Sequence, residues 1–429
     1  MSKTIWDNDI LKKFDRLYVD IETDVLVIGG GLCGILCAYR LSLAGKRVVL
    51  VEQNKIANCK TKRTTASITA LQDVMYSDLI KSIGFDNAKL YLEANLLAIN
   101  EYKELSKKFD FDYETVPSYK YSLDDLDILI NEIEQIKKLG YDAELCDFIN
   151  APIKIKGAIK FNNQGQMNPV KLIKSLINDL EIYENTKIIK INENTAYTLD
   201  GNKIYAKNIV VCTGYPFLKI KGLFPLKQYQ EKSYVVAFKN NKKLDGNAIG
   251  ISKNDLYFRD YKDYLIIGGN QVKTGKKING FDFVDSVIPF DDQNIIKYQW
   301  VNQDCVTLDK IPYIGKYGYF DNVYVATGFN LWGMTGSMIS SILICDYILK
   351  KHNRFFKLFD PNRSMKILNT IKNTGSAIKG LATPKLKRCS HLGCALKWIE
   401  EEQVYECPCH GSKYDKNGKL IDGPAINNI

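Results

Sequence analysis

Four residues near the end of the chain have the types and spacing of metal ligands. Cys389 and His391 are separated by one residue, and after fifteen intervening positions Cys407 and His410 are separated by two. Each pair offers one thiolate and one imidazole from a short loop, a donor set suited to iron or zinc and not to hard cations. The chain has three histidines in 429 residues, so two of them falling in this register is a strong signal. Cys394 and Cys409 stand beside the two loops. Eleven cysteines could suggest a disulfide scaffold, but their crowding into the tail points to metal chemistry. The other seven, Cys33 and Cys37 among them, have no metal spacing and are expected to be buried small apolar side chains.

A second constellation lies near the N-terminus. Asp24 to Ile28 is a short β-branched run, Gly29 to Gly34 reads GGGLCG, an apolar-periodic stretch follows to Ala44, and Arg47 to Val51 again has strand character. Strand, glycine turn, helix and strand make a dinucleotide cradle. Gly29 would permit the tight turn, Gly31 would let a pyrophosphate approach the backbone, and Gly34 would let the helix pack closely on the strand. Glu52 closes the second strand, where its carboxylate can accept hydrogen bonds from a ribose diol. NAD and FAD both satisfy such a cradle.

The elements that position the rest of the cofactor favour FAD. After Glu52 a polar loop leads to Arg63, Thr64, Thr65, Ala66 and Ser67, and near the other end the strand-like run Val323 to Thr327 enters a second glycine turn, Gly328 to Met334, then a helix to about Leu349. RTTA and ATGFNLWGMTGS resemble the D-amino-acid oxidase and glycine oxidase superfamily of FAD enzymes over roughly residues 22 to 360. NIVVCTG at Asn208 to Gly214 and CVTLDKIPYIG at Cys305 to Gly315 follow in that family's order. The resemblance implies an α/β fold: a Rossmann-like FAD-binding domain with an inserted mixed-sheet α+β substrate domain. It assigns Gly214, Gly328, Asn330, Trp332, Gly333, Met334 and Thr335 to the cofactor site beside Arg63, Thr64 and Thr65. Core packing is the alternative for Trp332 and Met334.

The tail has its own resemblance. CSHLGC, ECPCHGSKYD, Gly418 and Gly423-Pro424-Ala425 are similar to the ligand loops and proline loop of Rieske [2Fe-2S] domains. In that family two thiolates hold one iron and two imidazoles the other, which implies Cys389, His391, Cys407 and His410 as ligands. A loop-bridging disulfide of the high-potential members would fall on Cys394 and Cys409. Zinc on the same residues, or a decayed site, are the alternatives. The family's cluster region rests on a base of strands, yet only about 28 residues separate Asp360 from Cys389. The flavin domain is therefore expected to cover the cluster, or the tail to be poorly ordered without iron.

These pieces set expected boundaries: FAD-binding parts at 1–85, 161–222 and 319–360, substrate-domain parts at 86–160 and 223–318, a basic linker at 361–388 and a small β-rich Rieske-like segment at 389–429. Without a second GxGxxG, a separate NAD(P)H domain is not expected, and with His352 the sole histidine outside the tail, neither is a histidine base at the flavin. Arg259 is the candidate carboxylate anchor and Tyr257 a pocket wall, with an ion pair to Asp260 or Asp263 the alternative for Arg259.

The functional expectation is a dehydrogenase more than an oxidase, in which a small-molecule amine or amino acid reduces FAD and the cluster passes electrons singly to an external carrier. Reversed flow and a redox or iron sensor are the rivals. The net charge of +10 is concentrated at Lys350 to Arg388, with eleven Lys or Arg against Asp360. That pattern fits a solvated face or linker, so no nucleic-acid partner is expected. Ile367, Leu368, Ile371 and Ile378 could form one helical stripe there. Without a signal pattern or a run of roughly 20 apolar residues, a cytoplasmic protein with no membrane span is expected.

Overall fold

Val25 to Ile28 are apolar without alternation, as a strand covered on both faces requires. In the computed structural model Ile21–Ile28 lies inside an eight-stranded sheet, paired in parallel with Val48–Val51 on one side and Lys203–Gly214 on the other. Val323–Thr327 pairs in parallel with Lys203–Gly214, and Tyr313–Lys316 closes that side in antiparallel. Val25 and Val27 face the helices Leu32–Leu43 and Gly333–Ile348, while Leu26 and Ile28 pack with Val49, Val51 and Tyr215 on the opposite face. Each fully buried aliphatic side chain contributes roughly 1.5–3 kcal/mol, so this strand is an anchor for the turn at its end.

The structure describes residues 3–73, 75–217, 222–240, 242–252, 255–287, 296–318, 320–364 and 387–429. The stripe expected from Ile367, Leu368, Ile371 and Ile378 lies outside them. Among the described residues no helix is long and apolar enough to cross a membrane.

A nine-stranded mixed sheet stands beside the first, ordered Ile296–Thr307, Gln228–Lys239, Tyr264–Lys273, Tyr257–Tyr261, Asn247–Gly250, Glu114–Ser122, Gly157–Gln166 and Ser67–Ile68, with Glu144–Cys146 on Gly157–Gln166. Three expected boundaries divide differently here. Gly157–Gln166 runs across the join at 160, Tyr313–Lys316 pairs with the flavin sheet, and Ser67–Ile68 pairs with the second sheet. Strand pairing, not chain order, decides each case. The tail forms a four-stranded sheet of Lys397–Ile399, Val404–Glu406, Lys413–Tyr414 and Leu420–Asp422. Of the seven cysteines outside the tail, five are buried, Cys146 is half-buried and Cys59 is exposed, which corrects the expectation of burial for those two.

Candidate cofactor and cluster sites

The glycine turn has the geometry its sequence requires. Gly29 has φ +114°, and a Cβ there would lie 2.6 Å from the Cys212 carbonyl oxygen. A Cβ on Gly34 would fall 1.9 Å from the Gly29 oxygen, so the helix can approach the strand only without a side chain. Gly31, just before Leu32–Leu43, lines a cleft, and a Cβ there would only touch Thr61 Oγ1 at 3.4 Å. The Glu52 carboxylate accepts from the Gly30 amide at 2.8 Å and the Asn54 amide at 2.9 Å, while burial raises its pKa.

Gly29, Gly31, Glu52, Arg63, Thr64, Gly214, Gly333 and Met334 line one continuous cleft. Others expected in the second turn lie behind it. The Asn330 side chain accepts from the Thr307 amide at 2.8 Å and donates to the Lys310 carbonyl at 2.9 Å, clamping the loop. Thr335 accepts from Gln72 at 3.0 Å, and a Cβ on Gly328 would meet Thr307 at 2.3 Å. The cleft also contains Lys60, Tyr215 and Asp304, which no motif marked. Lys60 Nζ lies 3.4 Å from Asp304 and 3.5 Å from the Cys305 sulfur. Burial opposes its charge, but Cys305, Asp304 and Asp422 hold its pKa above the usual lysine range. Lys60 is thereby held as a cation in the cleft, paired with Asp304.

A second pocket opens onto the cleft at Thr64, Asn302, Leu331, Gly333 and Met334, which line both. Thr65, Tyr257 and Trp332 are in its wall. Tyr257 donates to Ser233 at 3.1 Å, and Trp332 donates to Asp73 at 3.1 Å. Arg259 is elsewhere. Its fully buried guanidinium donates to Gln166 at 3.1 Å, to the Asp260 carbonyl at 3.2 Å, to the Met167 carbonyl at 2.9 Å and to the Thr65 carbonyl. Burial lowers its pKa to about 9. The carboxylate-anchor expectation for Arg259 is therefore corrected: its donors are committed to the protein. With Trp300 and Trp6, which donate to the Arg63 and Thr64 carbonyls at 2.8 and 2.7 Å, it fixes the loop between cleft and pocket.

The four tail ligands converge. Cys389, His391, Cys407 and His410 are all buried, and the two imidazoles stand 5.0 Å apart, nearly perpendicular. Bonds from Cys407, Tyr414 and the His391 amide lower the Cys389 pKa to about 6 against the opposing effect of burial. Burial lowers His410 to about 4, so its ring is neutral. Its Nε2 is 3.1 Å from the Pro225 carbonyl, and its buried Nδ1 has no hydrogen-bond partner among the described residues. A disulfide joins Cys394 to Cys409 between the loops.

Residues 24–347 match the family described as FAD dependent oxidoreductase. The chain belongs to that family. Residues 382–429 of the flavoprotein match the Rieske [2Fe-2S] domain. YhfW of Bacillus subtilis (strain 168), described as a Rieske 2Fe-2S iron-sulfur protein, is 30% identical over 99% of this chain and 96% of its own length. The cytochrome b6-f complex iron-sulfur subunit of Synechococcus sp. (strain JA-3-3Ab) is 57% identical over 41 residues, 10% of this chain and 24% of that one. The crystal structure of glycine oxidase from Geobacillus kaustophilus superposes with a TM-score of 0.67 at 16% identity, covering 80% of this chain and all of that one, which shows the shared fold.

FAD and a [2Fe-2S] cluster are the cofactors of the flavoprotein, and its residues fit both. The cleft-lining backbone at Gly31, at the N-terminus of Leu32–Leu43, suits a pyrophosphate. Two thiols, a neutral imidazole with an unengaged buried Nδ1, and a second imidazole beside it suit the Rieske donor set.

The flavoprotein also supplies the cover expected for the tail. Gln230 and Lys232 share one face of their strand, with Gln303 opposite Lys232. Gln230 donates to the His410 carbonyl and Gln303 to the Gly411 carbonyl at 2.9 Å. Fully buried Lys232 lies 2.9 Å from Glu402 and 3.5 Å from Glu406, and Lys413 bridges the same two carboxylates. This latch fixes the tail to the nine-stranded sheet.

Proposed function

We propose that the enzyme oxidises a carbon–nitrogen bond of a small amine or amino acid, and that the electrons cross from the flavin cleft to the cluster inside one chain. FAD supplies hydride acceptance and the cluster supplies single-electron exchange. The observation that carries the reading is Tyr215. Its buried ring lines the cofactor cleft and stands edge-on to both ligand histidines, 6.2 Å from His391 and 6.0 Å from His410. Ile421 to Ile426 of the tail line the same cleft.

The chain's own residues supply the rest. The carbonyls of Arg63, Thr64 and Thr65 are pinned by Trp300, Trp6 and Arg259, which holds the floor of the substrate pocket in place. Pro225, Gln230 and Tyr215 cover His410, shielding that edge of the cluster site from solvent and from a partner protein. An external carrier would approach elsewhere; Leu392, exposed beside His391, marks the open side of the first ligand loop. An onward path through the cluster makes the enzyme a dehydrogenase.

The test is anaerobic addition of small amines and amino acids, with the flavin followed by absorbance and the cluster by low-temperature electron paramagnetic resonance. A substrate that reduces the flavin should also bring up the reduced-cluster signal. Flavin reduction with a persistently oxidised cluster would refute the reading.

A further inference from the structure

The substrate pocket has an uneven distribution of charge. Hydroxyls and amides, including Ser67, Thr69, Asn247 and Gln271, make most of its polar lining. One carboxylate, Asp73, is present, and no Lys, Arg or His lines the pocket among the described residues. Asp73 is half-buried between Ser67–Ile68 and Tyr76–Ile83, with one oxygen accepting from Trp332 Nε1 at 3.1 Å. Lys120 and Lys310 act on its charge from outside the lining, and Lys120 is engaged with the Gln72 carbonyl. Arg259, the guanidinium that could have held a substrate carboxylate, is committed to Thr65, Gln166, Asp260 and Met167.

An α-carboxylate entering here would meet a negative side chain in a partly dehydrated site, with no cation in the wall to hold it. An ammonium would meet a carboxylate and an aromatic wall, the surroundings that favour organic cations. We propose that this pocket is a subsite for an organic ammonium that carries no carboxylate, with Asp73 holding the cationic nitrogen between Trp332 and Tyr257. The inference rests on the carbon–nitrogen oxidation proposed above and narrows its substrate class. Burial raises the Asp73 pKa against the opposing effect of Lys120 and Lys310, so a bound cation offsets part of the cost of its half-buried charge.

Three compounds of one shape test it: tert-butylamine, α-aminoisobutyrate and pivalate. None has an α C–H bond, so binding to the full-length, FAD-loaded protein is read from the flavin absorption spectrum without turnover. tert-Butylamine should bind at least about tenfold more tightly than either carboxylate, a difference of about 1.4 kcal/mol. D73N should lose about tenfold or more of that affinity with flavin content unchanged, and D73E should keep most of it. Equal or tighter binding of α-aminoisobutyrate or pivalate, parental affinity in D73N, or no spectral change with any of the three would overturn the proposal. Isopropylamine, which has an α C–H, separates the two claims. If tert-butylamine binds as expected but isopropylamine leaves the flavin oxidised, the subsite stands and amine oxidation fails.

Discussion

All four cluster ligands come from two loops between residues 389 and 410, whereas the wall of the substrate pocket is gathered from segments spread between Thr64 and Met334. The first site is local in the chain and needs only two loops to meet. The second exists only when two sheets and the turn at Gly328 to Met334 are assembled. A local site should therefore fail by losing its metal, and an assembled one by losing its supports.

Cys407→Ser should show the largest effect. It removes one of two thiolates from the cluster site, and the expected outcome is complete loss of cluster iron with FAD retained, measured by metal and flavin analysis of the purified protein. Loss of FAD as well would mean that the two sites fold as one.

Lys232→Met strikes the latch between the regions. It leaves Glu402 and Glu406 buried beside Lys413 alone, and removing one partner of a buried pair costs about 3–5 kcal/mol. Denaturant unfolding should show that loss, and limited proteolysis should release the tail. The latch is also pH-sensitive. Burial alone would raise the Glu402 pKa, but Lys413 and Lys232 hold it down to about 2, against roughly 4.3 in an unfolded chain. A depressed carboxylate stabilises fully above the unfolded value, so this contribution should disappear as pH falls from about 4 to 2, followed by thermal unfolding.

Gly34→Ala puts a methyl group 1.9 Å from the Gly29 oxygen. The forced shift should cost on the order of 1–3 kcal/mol and weaken FAD binding, measured by flavin release, while the cluster spectrum stays intact. The smallest effect is electronic. Tyr414 Oη lies 3.3 Å from the Cys389 sulfur, and a hydrogen bond to a ligand sulfur favours the reduced cluster. Tyr414→Phe should lower the cluster potential by roughly 50 mV in a redox titration, the equivalent of a bond of about 1 kcal/mol.

The same contrast explains what could be read without the structure. Gly29 and Gly34 were legible because each answers a steric demand within one strand-turn-helix unit, and the Cys-His loops because the donor types are rare. Asn330 and Thr335 belong to the right turn but face Thr307 and Gln72 instead of the cleft, since a motif fixes the backbone path and not the direction of every side chain. Arg259 has the chemistry of an anchor, yet its strand aims it at the carbonyls of Thr65 and Met167. Tyr215, Lys60 and Asp73 reach their sites only through tertiary packing, and no spacing in the chain announces them.

The central claim is that flavin and cluster exchange electrons within one molecule across Tyr215. It is tested most directly by a short light pulse that reduces the flavin anaerobically with electrons from an added sacrificial donor, followed by the rise of reduced-cluster absorbance at several protein concentrations. The account predicts a first-order rise with a rate independent of concentration, slowed in Tyr215→Leu. A rate proportional to protein concentration, unchanged in the variant, would contradict it.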